Sequence, residues 1–164
     1  MTDPFVHPED DSATQAIAAL RDELEVFDDW FDRYELIIDF GKRLPPYPPA
    51  WADEAHRVQG CQSQVWMAHA MREGRLYLAG ASDAAIVSGL VAIVLRVYSG
   101  RTPTEVLATD PGFLRDLGLI EALSTNRGNG VAAMARRIHE IAAGAIADGA
   151  IASGAIASGA DAPR

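Results

Sequence analysis

The sequence holds a single cysteine, Cys61, in 164 residues. That excludes an internal disulfide and argues against a stapled, secreted fold; a reducing compartment, the cytoplasm, is the expected location. Basic charge is also scarce, with 14 Lys and Arg against 23 Asp and Glu and a formal net charge of −9. A surface of that sign repels phosphate backbones, so nucleic acid is not an expected partner. Long apolar runs are missing too. The most apolar stretch, Ala84 to Leu95, is interrupted by Ser88 and Gly89 and is well short of the roughly 20 residues a spanning helix needs. It reads as a buried core helix, and no membrane role is expected. The opening residues, MTDPFVHPEDD, are acidic and lack an apolar segment, which is not the pattern of a signal peptide.

What is present is a chain of one-domain size, 49 % apolar and 23 % charged, enough to bury a core. Residues 1–11 read as disordered. Ser12 with Gln15 three later predicts a capped helix carrying Ile17, Leu20, Leu24 and Phe27 at helical spacing. Asp28 and Asp29 precede a second, carrying Trp30, Tyr34, Ile37, Ile38 and Leu44 and ended by Pro45 and Pro46. PPYPP then reads as a stiff connector across the surface. Two strands are predicted, Gln64–Ala70 and Arg75–Ala79, joined as a hairpin through REG, with a further strand suggested around His56–Gln59.

A long helix is expected from Ser82 or Asp83 to Tyr98, closed by Gly100. Thr102, Pro103 and Glu105 form another start signal. Two short helices follow, around Thr104–Ala108 and Gly112–Leu117. The glycine-rich loop STNRGNG leads into a helix over Val131–Ala143. Helices, a small antiparallel sheet and more helices make an α+β pattern. The domain is bounded at 12–143. The tail, 144–164, repeats GAIAS-like pentads. Five residues advance a helix by about 500°, so Ile146, Ile151 and Ile156 share no face, and disorder or a frayed extension is expected.

Cys61 sits in VQGCQSQVW, after a glycine and before the polar Gln62, Ser63 and Gln64. Free cysteine often serves as a small buried hydrophobe. A thiol in a polar loop, with Gly60 allowing a sharp bend and Val65 and Trp66 anchoring the strand beyond, is instead presented for chemistry. Nucleophilic catalysis needs a base, and His7, His56, His69 and His139 are the candidates. His56 is near in sequence, but no orienting Asn or Asp and no oxyanion motif stands out. One cysteine and scattered histidines do not make a metal site or a cluster scaffold, and a resolving cysteine for redox switching is absent. A lone thiol that accepts a group from another protein's thiol and passes it on remains. A half-shielded resting position for Cys61 is expected, since an exposed low-pKa thiolate oxidises irreversibly.

The segment VQGCQSQVW resembles the active-site segment of the SufE family of cysteine-desulfuration proteins. LIIDFGKRLPP at 36–46, GASDAAIVSGLVAIVLRVYSGRTPTEVL at 80–107 and FLRDLGLIEALSTNRGNGVAAMARRIHEIA at 113–142 resemble further blocks of that family in the same order. The resemblance covers roughly residues 20 to 143. Two features depart from it: the pentad tail, and the absence of the usual proline before the arginine in STNRGNG.

The resemblance implies a fold related to the IscU scaffold, and a sulfur acceptor working with a SufS-like cysteine desulfurase. Cys61 would take persulfide sulfur, stimulate the desulfurase and pass sulfur to an iron–sulfur scaffold complex. No cofactor or metal is expected in this chain, because the pyridoxal phosphate belongs to the desulfurase, and no turnover without a partner is expected. Asp83, which also reads as a simple helix-end acid, would hold the cysteine loop. Arg127, which also reads as a solvated surface charge, would lower the thiol pKa or contact the partner. Gln62 and Ser63 would support the loop. The competing reading is a non-catalytic module that activates a desulfurase by contact alone.

Overall fold

Several helices begin where the sequence supplies a cap. The computed structural model describes the backbone of residues 3–61, 63–120 and 125–154, and side chains for all of these except 125–129 and 150–154. Helix α1, Ala13–Glu25, opens at Ser12, whose hydroxyl accepts from the Gln15 N–H at 3.1 Å. Helix α2, Trp30–Lys42, opens at Asp29, whose carboxylate accepts from the Phe31 N–H. It stops at Lys42, so Leu44 lies beyond it. Strands β1, Val65–Arg72, and β2, Arg75–Ser82, pair antiparallel in register from Val65 opposite Ser82 to Arg72 opposite Arg75. Glu73 and Gly74, with φ of 53° and 79°, make the tight turn, a backbone whose twist matches that of the strands. Helices α3, Ala85–Tyr98, α4, Pro103–Ala108, α5, Phe113–Asp116, and α6, Thr125–Gly154, complete the order. The architecture is α+β, helices on a two-stranded antiparallel sheet.

Helix α3 is the centre of the core. Leu90, Val91, Ile93, Val94, Leu95, Val97 and Tyr98 are buried along it, with α1, α2, α6 and β2 packed around it. Helices α2 and α3 come together through glycine. A Cβ at Gly89 would collide with the Ile37 carbonyl, and one at Gly41 would lie 2.7 Å from the Gly89 nitrogen. The opposite face of the sheet carries a second, aromatic layer. Phe5, Tyr47 and Trp51 cover Ala68, Ala70, Ala79 and Tyr77 there. PPYPP is therefore part of a covering segment rather than a bare surface connector.

Several expectations change. The head is not disordered over residues 3–11. Phe5 is buried, and the Val6 N–H donates to the Leu78 carbonyl at 2.8 Å, pairing the head with the edge of β2. The Ser99 hydroxyl donates to the Val6 carbonyl at 2.6 Å. Arg96 bonds Asp10 at 3.1 Å, and the fully buried Arg101 donates to the Asp10 carbonyl at 2.8 Å. The partners lie about ninety residues downstream, so no local pattern announces them.

The suggested strand near His56 reduces to one bridge, Arg57 with Trp66. Residues 125–130 of STNRGNG are the first turns of α6 rather than a loop; Ser124 lies outside the described residues. Helix α6 also runs past Ala143 to Gly154. Its buried stripe, Val131, Met134, Ala135, Ile138 and Ala142, ends at Ala142. Beyond it none of the described side chains of the helix is buried, and residues 155–164 lie outside the description. Among the described residues no helix is long and apolar enough to cross a membrane.

Candidate functional site

The cysteine loop is closed at its base by two buried valines. The Val58 N–H donates to the Val65 carbonyl at 2.8 Å, and both side chains are in the core. The segment between these valines is therefore held shut by one hydrogen bond and two apolar anchors, with Cys61 inside it. Gly60 adopts φ +92°, a conformation that favours glycine. A Cβ there would also press to 3.2 Å on the Cβ of Ala133.

The loop leans on α6. The Cys61 thiol lies 3.5 Å from the Gly130 carbonyl and can donate to it. Gly130 and Ala133, one helical turn apart, are small enough to admit the loop. Cys61 is half-buried and packs against the main core. Burial pushes its pKa up, and the positive charge of Arg57 partly opposes that. At neutral pH the thiol form dominates, and full reactivity requires the side chain to leave its niche.

The far end of the loop is clamped at Gln64. The Asp83 carboxylate accepts from the Gln64 N–H at 3.2 Å, and the Asp83 N–H donates to the Gln64 carbonyl at 3.4 Å. The Ser82 hydroxyl also donates to that carbonyl, at 2.7 Å. Asp83 is therefore not the cap of α3. Ala84 occupies that position, without a side-chain bond.

His56 bonds Asp53 through Nδ1 at 2.7 Å and stacks on Trp51. Asp53 is thus the orienting carboxylate that the sequence did not reveal. His56 belongs to the aromatic layer, and none of its bonds reaches Cys61. Among the described residues no group of three or more His, Cys, Asp or Glu is placed to hold a metal ion.

A sequence model of the SufE family, described as an Fe-S metabolism associated domain, matches residues 18–142. The chain belongs to the SufE family. An uncharacterized SufE-like protein of Rhizobium meliloti (strain 1021) is 42 % identical over 130 residues, covering 76 % of this chain and 93 % of that protein. Another, from Rhizobium etli, is 41 % identical over 126 residues, covering 74 % and 85 %. A hypothetical protein of Thermus thermophilus, solved in solution, superposes with a TM-score of 0.66 at 23 % identity, over 82 % of this chain and 96 % of that one. The last likeness concerns the fold alone. Family membership ties this chain to iron–sulfur metabolism.

Of the residues singled out in the sequence, the structure brings Cys61 and Asp83 to opposite parts of one loop, with Ser63 half-buried between them. Gln62 lies outside the described residues. Arg127 is in the first turns of α6, and its side chain is outside the description. Among the described residues, the charge that acts on Cys61 comes from Arg57. Arg57, Ser82 and Gly130 were not singled out. Arg57 is four residues before the thiol and could have been found on that ground. Gly130 carried no signal, because STNRGNG reads as a loop until α6 is seen to begin inside it.

Proposed function

We propose that this SufE-family chain is a persulfide-carrying sulfur acceptor, with Cys61 as the carrier and a cysteine desulfurase as the donor. The observation that carries this reading is the setting of Cys61: a lone, half-shielded thiol in a short loop pinned at both ends. The step is a thiol–persulfide exchange. The Cys61 thiolate attacks the outer sulfur of the donor persulfide. The new bond to Cys61 Sγ forms as the donor's S–S bond breaks, and the donor leaves as a thiolate that takes up the proton Cys61 gave. No external oxidant or reductant is consumed. A second exchange passes the sulfur to an iron–sulfur scaffold.

The niche and the clamp then have a purpose. The loop holds Cys61 against Gly130 until a partner docks, which limits oxidation of the resting thiol. Asp83 and Ser82 hold the loop at Gln64, so opening it means breaking a few hydrogen bonds there and parting Cys61 from Gly130 and its core contacts. Cys61→Ser tests the reading by desulfurase stimulation. A carrier loses all stimulation with this change, whereas a contact-only activator keeps most of it.

A further inference from the structure

A cleft of about 350 Å³ opens beside the cysteine loop. Arg57, Val58 and Gln59 line it from the chain entering the loop; Ala133, Arg136, Arg137 and Glu140 line it from α6. Three arginines against one glutamate leave an excess of two positive charges in the lining, on a protein whose net charge is −9.

These arginines differ in their partners from Arg96, Arg72 and Arg101. Arg96 is held by Asp10 and Glu23 at 3.1 and 3.0 Å, Arg72 by Asp3 at 2.9 Å, and Arg101 by backbone carbonyls. In the cleft, Arg57 approaches Glu54 only to 3.8 Å and Arg137 approaches Glu140 only to 3.9 Å. Both distances exceed hydrogen-bond range, and both glutamates are mostly exposed. Arg136 makes no ion pair among the described residues. Guanidinium groups with weak partners in a concave site are suited to bidentate capture of carboxylates.

We infer that this arginine-lined cleft docks an acidic segment of the sulfur-donating protein and so delivers its persulfide to Cys61. The inference rests on the sulfur-acceptor reading and names the partner surface for it. The cleft is contiguous with the thiol: Gln59 is two residues before Cys61, and Ala133 backs Gly60. An acidic segment bound there lies against the loop that must open. The volume exceeds that of a single carboxylate and accommodates more than one acidic side chain. The net charge of −9 opposes the approach of an acidic partner over the molecule as a whole, which favours encounter at a basic face.

The test is affinity for a cysteine desulfurase, with four proteins compared across a salt series. Arg136→Glu/Arg137→Glu reverses the cleft, and Lys42→Glu/Arg43→Glu makes the same charge change at the C-terminal end of α2. The cleft variant is expected to bind at least tenfold more weakly and to lose most of the parent's salt dependence. The α2 variant is expected to stay within twofold of the parent. Iodoacetamide alkylation of Cys61 in each free protein checks that the loop is intact, and Arg136→Gln/Arg137→Gln gives an intermediate loss if charge is the cause. Parent-like binding by the cleft variant overturns the inference, as does equal weakening of both charge variants. If the parent accepts sulfur and the cleft variant binds normally, only this inference fails. If the cleft variant loses binding while the parent binds but gains no sulfur, the cleft stands and the acceptor reading fails. A parent that binds no desulfurase overturns both.

Discussion

The Cys61 sulfur lies 3.5 Å from the carbonyl oxygen of Gly130, a residue 69 positions further along the chain. That contact ties the cysteine loop to α6 and makes the exposure of the thiol depend on how the two surfaces part. The Asp83–Gln64 pair governs the other end of the same loop.

Asp83→Ala removes the carboxylate that accepts from the Gln64 N–H. The bond is exposed, so its loss is expected to weaken the closed loop by about 1 kcal/mol. That corresponds to a roughly fivefold rise in the open fraction. Cys61 alkylation should speed up by a similar factor, with the melting temperature nearly unchanged, since Asp83 caps no helix. Desulfurase affinity should strengthen, because less of the protein rests in the closed form. Unchanged alkylation and affinity would reduce Asp83 to a loop-end residue without influence on the thiol.

The pH dependence of alkylation follows from the burial of Cys61. Its pKa is raised, so the thiol stays protonated to higher pH than usual. The alkylation rate should climb with pH and reach half its plateau above the ordinary thiol value of about 8.5. Arg57→Ala removes the opposing positive charge, so its midpoint should move further up and its rate at pH 7 should fall. A midpoint below that of a model thiol in the parent would contradict the shielded position.

Deleting residues 1–11 should destabilise the domain. Burial of Phe5 contributes about 1.5–3 kcal/mol, and Arg96 and Arg101 lose Asp10 as well. A total near 3 kcal/mol corresponds to a melting-temperature fall of roughly 6–12 °C for a chain of this size. An unchanged melting temperature would mean that the head contributes nothing to stability.

Removing residues 145–164 should do almost nothing. The buried stripe of α6 ends at Ala142, so stability should stay within about 0.5 kcal/mol of the parent. Sulfur acceptance should also be unchanged. A large loss of either would show that the tail has a binding role.

The contrast between head and tail shows what the sequence could disclose. Caps at Ser12, Asp29 and Thr102 were readable because a cap bonds within a few residues of itself. The hairpin was readable from its turn, though both strands extend two or three residues beyond their predicted ends. The head was not readable, because Phe5, Val6 and Asp10 find their partners on β2, on α3 and in the segment just after it. Cys61 stood out as the sole thiol in a polar loop. Asp83 was singled out, yet its true partner, the backbone of Gln64, is visible only in three dimensions. The start of α6 was misjudged because two glycines, Gly128 and Gly130, within a polar stretch read as a loop. Tertiary contact there outweighs local propensity, with Gly130 buried against Cys61.

The central claim is that Cys61 carries sulfur, and the mass of the intact protein after incubation with a cysteine desulfurase and free cysteine tests it most directly. The account predicts the addition of one sulfur atom on the peptide containing Cys61, removed by a thiol reductant and absent from Cys61→Ser. A protein that stimulates the desulfurase while its mass stays unchanged would contradict it.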